Sequence, residues 1–313
     1  MIVRLGYVAI SKTLDNVTSS STITYTNFIK NNDFRKLDNI IKSNFEDLTK
    51  ILNYNIKNNI HFYRLTSKLI PLATHKGVEF EYINKYKNYY EEISKLIKES
   101  NMRVDVHPDQ FCVLNSTNKD VFENTIEILK YHISVLKALK ITNPIIVLHV
   151  GSSVFGKEKS ITRFINNFKR LPKEIQNAIA LENDDKIYNA DDVLAICKKL
   201  NIPFVLDYHH EICNPCINID NILSDILNTW KGINPKMHFS SPKNRTKKDF
   251  RSHNDFIFSD DFILFLEKIK KYNTDIDIML EAKEKDNALF KLVRELKYKT
   301  NYKFIDETSF EVK

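Results

Sequence analysis

The chain has 313 residues, of which 42% are hydrophobic and 28% are charged, and its formal net charge at pH 7 is +7. These values are ordinary for a folded globular protein, and they argue against a disordered or collagen-like chain. The residues after Met1 turn polar by Arg4, and no apolar run approaches the length of a membrane helix. We therefore expect neither a signal peptide nor a membrane partner and predict a cytoplasmic protein, whose basic excess favours anionic partners.

Short apolar runs of strand length alternate with longer segments of helical periodicity, a pattern typical of repeated βα units. The predicted strands are residues 3–8, 61–65, 102–106, 145–150, 178–181, 204–207, 237–239 and 276–280. The predicted helices are residues 34–58, 85–100, 119–140, 160–170, 190–200, 219–231, 260–272 and 284–298. Eight such units without a break in composition indicate a closed barrel rather than an open doubly wound sheet. We predict one (β/α)8 TIM-barrel domain over residues 1–313.

Cysteines are few and scattered, at positions 112, 197, 213 and 216. This usage does not form a disulfide framework and is typical of a reducing compartment. Cys213 and Cys216 make a C-x-x-C pair, but no second pair completes a zinc site. We interpret both as structural.

Metal-ligand side chains occupy the ends of the later predicted strands, where the reacting groups of such a barrel lie. They are His107, His149, Glu182, Asp207, His209, His210, His238 and Glu281. His75 and His253 lie in loops after the second and seventh strands and can reach the same mouth. Because side chains alternate along a strand, the spacing of Ala180 and Glu182 predicts that Glu182 faces the barrel interior.

Imidazoles and carboxylates without thiolates suit Mn²⁺, Zn²⁺ or Fe²⁺, and the surplus of ligands over one coordination sphere predicts two or three ions. Ions about 3.5–4 Å apart can acidify a bridging water, hold a phosphate oxygen and neutralise a departing alkoxide. The expected chemistry is therefore hydrolysis of a phosphodiester. The expected bridging carboxylates are Glu182, Asp207 and Glu281.

Lys236 shares its strand face with His238, so its ammonium should also point toward the metals, which would repel it. One way to remove that charge is carbamylation by CO₂, which turns the lysine into an anionic oxygen ligand. The other is a lysine that turns away from the metals and contacts DNA phosphate. The residues alone leave both alternatives open.

Short motifs occur in order along nearly the whole chain. They are Arg4-Leu-Gly-Tyr7, Pro71-Leu-Ala-Thr-His75, His107-Pro-Asp-Gln110, Leu181-Glu-Asn-Asp-Asp185, Asp207-Tyr-His-His210, His238-Phe-Ser-Ser-Pro242, Arg251-Ser-His253 and Glu281-Ala-Lys283. Their ordered combination resembles the UV damage endonucleases. The resemblance implies a TIM barrel related to the endonuclease IV group, several Mn²⁺ ions, and DNA incision immediately 5′ to cyclobutane dimers, 6-4 photoproducts and some abasic sites.

The resemblance also implies roles for individual residues. The implied metal ligands are His75, His107, His149, Glu182, Asp207, His210, His238, His253 and Glu281, with Lys236 standing where the family has a modified lysine. We expect Glu182, Asp207, Glu281, Lys236 and His238 to carry the catalysis. Gln110 and Phe111 take the place of the family's lesion-probing pair, with Tyr7 nearby. Phe111 replaces a tyrosine found in some relatives, so a ring can still stack but a hydroxyl hydrogen bond is lost.

A cluster of cations follows the seventh predicted strand on the same face, and we expect it to contact DNA phosphate. Its residues are Lys243, Arg245, Lys247, Lys248 and Arg251. The expected products of incision are a 3′-hydroxyl and a 5′-phosphate, and a monomer acting on double-stranded DNA is the simpler expectation. Two alternatives remain: a divalent-metal sugar isomerase or epimerase on the same fold, and a non-catalytic damage-binding protein.

Overall fold

The computed structural model describes residues 1–31 and 34–313. In these residues the parallel strands β1 to β8 follow one another around a barrel, which closes because β1 hydrogen-bonds to both β8 and β2. Their bounds are β1 Ile2–Val8, β2 Phe62–Leu65, β3 Arg103–Val106, β4 Ile146–His149, β5 Ile179–Glu182, β6 Phe204–Asp207, β7 Lys236–Phe239 and β8 Ile276–Leu280. The predicted TIM barrel is confirmed, and each predicted strand overlaps an observed one.

Helices alternate with these strands. They are α1 Tyr25–Asn31, α2 Phe34–Lys57, α3 Tyr82–Lys85, α4 Lys87–Glu99, α5 Lys119–Ala138, α6 Lys157–Lys169, α7 Lys173–Ala178, α8 Ala190–Leu200, α9 Tyr208–Cys213, α10 Ile219–Asn228, α11 Ser259–Ile269 and α12 Lys285–Lys299. A 3-10 helix, Lys270–Tyr272, follows α11. The sequence did not predict α1, α3, α7 and α9, because helices of four to seven residues carry too little periodicity.

Two short strands near the carboxyl terminus were also not predicted. They are β9 Lys303–Phe304 and β10 Ser309–Glu311. β10 runs antiparallel to the first half of β1, with Ile2 opposite Glu311, whereas the second half of β1 pairs with β2. The terminal hairpin therefore completes the hydrogen bonding of β1 on the side where β2 has not yet begun.

The barrel interior is filled by side chains at the end where the strands begin. Ile145, Val147, Ala180, Val205 and Trp230 form a buried cluster separate from the larger core between strands and helices. The Trp230 indole donates its N–H to the backbone oxygen of the first β6 residue at 2.8 Å. Because Val147 and Ala180 face inward, the residues two positions later on β4 and β5 also face the interior at its open end.

In the described part of the chain, no helix combines the length and the apolar character that a membrane span requires.

Candidate metal centre

Glu182, the last residue of β5, lies within a group of imidazoles at the carboxyl ends of the strands. Its side chain is 1% exposed, and its oxygens lie 2.9 Å from His107 Nε2 and 2.8 Å from His238 Nδ1. His149 Nε2 and His210 Nδ1 each lie 3.6 Å from the same carboxylate. β4, β7, α9 and the end of β3 thus direct imidazoles to one carboxylate, as the strand ends of a barrel allow.

The hydrogen bonds of His107 define which ring nitrogen faces Glu182 with a lone pair. His107 Nδ1 lies 2.9 Å from the carbonyl oxygen of Pro108. A carbonyl only accepts, so Nδ1 carries the ring proton and Nε2 is the acceptor of the neutral ring. Two acceptors 2.9 Å apart, Nε2 and the Glu182 carboxylate, need a proton or a cation between them.

Asp207 joins β6 to α9 and offers a second carboxylate. Its Oδ1 accepts the backbone N–H of His210 at 2.8 Å, which caps α9 and places the His210 ring beside the site. Asn183 holds this strand end, because its side chain bonds both the N–H and the carbonyl of Asp207. Asp207 Oδ2 is buried and has no hydrogen-bond partner among the described residues. The His210 imidazole, whose Nδ1 lies 3.7 Å from Oδ2, or a bound cation would offset the cost of burying this oxygen without a hydrogen bond.

Arg64, in β2, belongs to the site although the sequence analysis missed it. Its side chain is 8% exposed, and it donates to Glu281 Oε1 and to His238 Nε2, each at 2.6 Å. Since arginine only donates, Nε2 of His238 accepts, so the neutral ring carries its proton on Nδ1 and donates it to Glu182 Oε1. For Nδ1 to bind a metal, that proton would have to leave. A charged residue inside the apolar run 61–65 was the available signal.

His253 lies at the edge of the cluster. Its Nδ1 is 3.9 Å from Glu281 Oε2, and its ring centroid is 6.3 Å from that of His210. An antiparallel bridge between Pro242 and His253 closes the loop after β7 and returns the chain to the mouth. The structure therefore brings His253 next to the other predicted ligands, in a more exposed position.

The structure does not bring His75 into this cluster. His75 is exposed in the loop after β2, and its ring stacks on Tyr25 with centroids 3.8 Å apart. Its Nδ1 accepts the N–H of Gly77 at 3.1 Å. None of its contacts in the described residues involves another predicted ligand, so its role as a ligand stays a prediction.

Lys236 is fully buried inside the barrel, where its ammonium donates to Asp105 and lies 5.4 Å from the centre of the Phe62 ring. This position contradicts the alternative of a lysine turned outward to DNA phosphate, because a side chain without exposure cannot reach the nucleic acid. Burial lowers the pKa of Lys236 to about 8, with Asp105 acting in the opposite direction.

The protonation of the cluster follows from burial and charge. Burial lowers the pKa of His149 and of His238, which favours the neutral form of both rings. Burial also acts to lower the pKa of His210, but nearby carboxylates, first Asp207, outweigh it and raise that pKa to about 9. Burial acts to raise the pKa of Glu182, but the surrounding imidazoles hold it well below its ordinary range.

The donors present fit a pair of divalent ions. Ligand atoms of His107, His149 and Glu182 lie within 4.8 Å of one another, and so do those of Glu182, Asp207 and His238. The two groups share Glu182, which is the arrangement that a bridging carboxylate requires. Imidazole nitrogens with carboxylate oxygens suit Mn²⁺, Zn²⁺ or Fe²⁺.

Tyr7 requires a correction, because it does not lie on the mouth of the barrel. It is fully buried, and its hydroxyl donates to Asn55 of α2 at 2.7 Å. Along β1, Val3, Leu5 and Tyr7 all belong to the core between strands and helices. Tyr7 is thus a packing residue of the outer layer and cannot contact a DNA lesion.

Gln110 and Phe111 do lie on the catalytic face, in the loop after β3. Both side chains are exposed, and that of Phe111 is 66% accessible to solvent. Asp109 Oδ1 accepts the backbone N–H of Phe111 at 3.0 Å and shapes this turn. Their exposure is compatible with contact to DNA, which stays a proposal.

The basic loop, defined as residues 243–251 after β7, is exposed beside the cluster. Some of its cations already have carboxylate partners: Lys243 pairs with Asp249, Arg245 with Asp261 and Arg251 with Asp185, at 3.2–3.8 Å. Lys247 and Lys248 are exposed and form no ion pair within the described residues. These two lysines are therefore the most available for phosphate.

Cys213 and Cys216 are not linked to each other, and neither belongs to a potential metal group among the described residues. Cys213 Sγ lies 3.7 Å from His209 Nε2. Burial raises the pKa of Cys213 to about 11 and that of Cys216 to about 12, so both are unreactive thiols at neutral pH.

Known proteins resemble this chain in sequence and fold. A protein named UV DNA damage endonuclease from Bacillus cereus strain B4264 is 42% identical over 303 residues, which cover 95% of each chain. The crystal structure of SacUVDE matches with a TM-score of 0.86 and 32% identity, covering 95% of this chain and 98% of that one. Endonuclease IV from Thermus thermophilus has a TM-score of 0.59 at 11% identity, covering 95% and 100%, and shows likeness of fold alone.

A family model described as UV-endonuclease UvdE matches residues 3–311, which include every strand-end ligand described above. The match spans the barrel from β1 to β10, and the sequence relative covers nearly the same range. The chain therefore belongs to the UV-endonuclease UvdE family.

Proposed function

We propose that the protein is a DNA repair endonuclease that cuts the phosphodiester bond immediately 5′ to UV photoproducts. The proposed lesions are cyclobutane dimers, 6-4 photoproducts and some abasic sites, and the products are a 3′-hydroxyl and a 5′-phosphate. Membership of the UV-endonuclease family supports the action on damaged DNA. The observation that carries the chemistry is the convergence of imidazoles on the buried Glu182 at the open end of the barrel.

The site would hold two or three divalent ions, with Mn²⁺ as the first choice and Zn²⁺ as an alternative. The proposed ligands are His75, His107, His149, Glu182, Asp207, His210, His238, His253, Glu281 and a carbamylated Lys236. When bound, the ions would supply acidification of the attacking water and positive charge at the scissile phosphate. Glu182 is the best-placed bridging carboxylate, since both groups of converging ligands contain it.

Residues around the ligands keep them in position. The carbonyl of Pro108 fixes the His107 tautomer, and Asn183 fixes the Asp207 backbone. Arg64 holds Glu281 and, through His238, orients Nδ1 toward Glu182.

Carbamylation of Lys236 is the proposed form of this lysine. The lowered pKa increases the fraction of neutral amine, whose nitrogen lone pair attacks the carbon of CO₂ while one proton leaves to solvent. The product is an anionic carbamate that no longer repels cations. At the base of the cluster, the Arg64 guanidinium near Asp105 would donate to the new oxygens, whereas the Asp105 carboxylate, which now accepts from Lys236, would lose that partner.

DNA would lie across the mouth. We propose that Gln110 and Phe111 probe the lesion and that Lys243, Arg245, Lys247, Lys248 and Arg251 contact phosphates. A photoproduct is poorly stacked and paired, so it costs less to extrude than normal bases, and this difference gives selectivity. The proposal includes a protein that acts as a monomer.

The alternative functions explain less. A sugar epimerase on this fold would need fewer ligands and leaves the basic loop without a purpose. A non-catalytic binding protein would have no reason to keep a buried carboxylate among imidazoles, which is costly without a cation.

Nicking of supercoiled plasmid tests the proposal. Protein and Mn²⁺ are incubated with ultraviolet-treated and untreated plasmid, and nicked circles are quantified. We expect nicks in the treated plasmid only. Equal nicking of both plasmids would indicate a general nuclease, and binding without nicking would indicate a damage-binding protein.

A further inference from the structure

Phe155 is a large apolar side chain on the catalytic face that no part of the proposed function uses. It lies in the loop between β4 and α6, shortly after His149, and it is 74% exposed. Its neighbour Val154 is 45% exposed. Exposure alone does not single out this ring, but its backbone conformation does.

The backbone at Phe155 is strained. Its φ is +67°, in the left-handed region that bulky residues rarely adopt, and Gly156 follows with φ +96°. The N–H of Gly156 donates to the carbonyl of Ser153 at 2.9 Å and closes a tight turn. Glycine or asparagine would adopt this φ at lower cost, so the conformation holds a phenyl ring outward at a position where sterics disfavour it.

Hydrogen bonds hold this turn in place. The carbonyl oxygen of Val154 accepts from Ser160 Oγ at 3.0 Å and from Arg163 Nη2 at 3.1 Å, both from α6. Arg163 Nε also donates to the carbonyl of Asn115 at 2.5 Å. Phe155 is therefore presented by a braced turn rather than by a free loop.

The same network ties the Phe155 loop to the loop that carries Phe111. Asn115 is fully buried; its Nδ2 donates to the carbonyl of Ser152 at 2.7 Å, and its Oδ1 accepts the Ser152 N–H at 2.9 Å. Gly151, with φ +107°, allows this approach, since a Cβ there would lie 2.6 Å from Asn115 Oδ1. The two exposed phenylalanines thus stand on loops that are fixed to each other.

We propose that Phe155 stacks on a base of the bound DNA and forms a second stacking contact beside that of Phe111. A planar ring exposed at the mouth fits a nucleobase, because every base offers a π face for stacking. Stacking tolerates any base, so this contact holds DNA without reading its sequence. The inference rests on the proposed function, since it takes damaged DNA as the ligand.

Variants at Phe155 test this contact, with Tyr298 as a matched control. Phe155→Leu keeps apolar bulk without a ring, and Phe155→Trp keeps a stacking face. Tyr298, 91% exposed on the last turn of α12 at the other end of the barrel, is changed to leucine. The substrate is a duplex with one thymine dimer and 2-aminopurine on either side of it. Incision of this duplex in Mn²⁺ gives KM and kcat, and a titration gives the change in 2-aminopurine fluorescence on binding.

We expect Phe155→Leu to raise KM about tenfold with little change in kcat, and to lose the 2-aminopurine quenching that wild type produces. We expect Phe155→Trp to keep the wild-type KM and the 2-aminopurine quenching, and Tyr298→Leu to match wild type in both measurements. Equal behaviour of the leucine and tryptophan variants, or a wild-type KM for Phe155→Leu, would overturn the inference. Thermal midpoints equal to wild type show that the variants are folded.

This design separates the two proposals. If wild type does not incise the dimer-containing duplex, the proposed function fails, while the fluorescence titration still shows whether Phe155 contacts a base. If wild type incises and Phe155→Leu titrates like wild type, only the stacking contact is wrong.

Discussion

Among single residues, Arg64 neutralises buried carboxylates of the site without a metal. Its guanidinium lies among the carboxylates of Glu281 and Asp105, at 2.6 Å and 3.9 Å, and next to His238. Burial acts to lower the pKa of Arg64, but these carboxylates outweigh it and raise that pKa. In the metal-free protein, Arg64 therefore neutralises part of the negative charge of these carboxylates. Bound metal ions would neutralise more of it.

Arg64→Met should destabilise the metal-free protein by about 3 kcal/mol, because it leaves buried carboxylates without their partner. Saturating Mn²⁺ should recover part of that loss, since the ions supply positive charge to the same carboxylates. Urea denaturation with chelator and with Mn²⁺ measures both values. Arg245→Met, which removes an exposed pair with Asp261, should change stability by less than about 1 kcal/mol in both conditions. An equal loss for Arg64→Met with and without Mn²⁺ would contradict this coupling.

Lys236 gives a second prediction for a single residue. Mass spectrometry of the intact protein under non-acidic conditions should show the added mass of one CO₂. Lys236→Arg, which keeps the charge but cannot form a carbamate, should lack it. Consistent absence of the added mass from protein that incises DNA would show that the lysine remains an amine.

At the scale of elements, the ends of strands were predictable and the short segments after them were not. Glu182 and His149 follow from alternation along β5 and β4, which the sequence shows directly. α9 has only six residues and depends on its Asp207 cap, so no periodicity reveals it. The same alternation places Tyr7 with Val3 on the outer face of β1, and applying it there would have prevented the wrong assignment.

Arg64 shows that the sequence does not predict which residues become partners across the barrel. One charge within an apolar strand run predicts a buried partner, but the partner, Glu281, lies just after β8 and becomes a neighbour only when the barrel closes. His75 shows the reverse case, because both its place in the loop after the second strand and the family resemblance suggested a ligand, whereas its ring stacks on Tyr25 in the structure. Closure of the barrel, which the local chain pattern does not encode, brings Arg64 and Glu281 together.

The basic loop provides a prediction for an element. Lys247→Ala with Lys248→Ala should reduce the steepness of log Kd against log salt by about 1.8, since each phosphate contact contributes about 0.9. DNA binding is measured by anisotropy over a salt series. The control changes Lys95 and Lys98, exposed on α4, to alanine and should keep the wild-type slope. A wild-type slope for the loop variant would show that these lysines do not contact phosphate.

For the whole molecule, the barrel holds charged groups at both ends. Where the strands begin, Arg4 and Arg103 pair with the buried Asp277 and Arg103 lies over the Trp230 ring, whereas carboxylates and imidazoles line the mouth. The helix layer adds a further buried imidazole, His132 on α5, which is 2% exposed. Stability against acid therefore depends on groups outside the site as well as inside it.

Burial lowers the pKa of His132 to about 3, with the charge of His107 acting in the same direction. The unfolded chain binds this proton below its ordinary pKa of 6.5 and the folded one does not, so stability falls as pH drops from 6.5 toward 3. Between about pH 7.5 and about pH 5, wild type should lose about 2 kcal/mol more stability than His132→Leu. Urea denaturation with chelator at both pH values measures this difference, and equal losses would contradict it.

The central claim is that Glu182 and the imidazoles around it bind divalent cations. Elemental analysis of purified, incising protein measures this directly, with Glu182→Gln as the variant that keeps shape and removes charge. We predict roughly two to three equivalents of Mn²⁺ or another transition metal in wild type, and a loss of metal together with incision in Glu182→Gln. Wild-type protein that incises ultraviolet-damaged DNA without any transition metal would contradict the account.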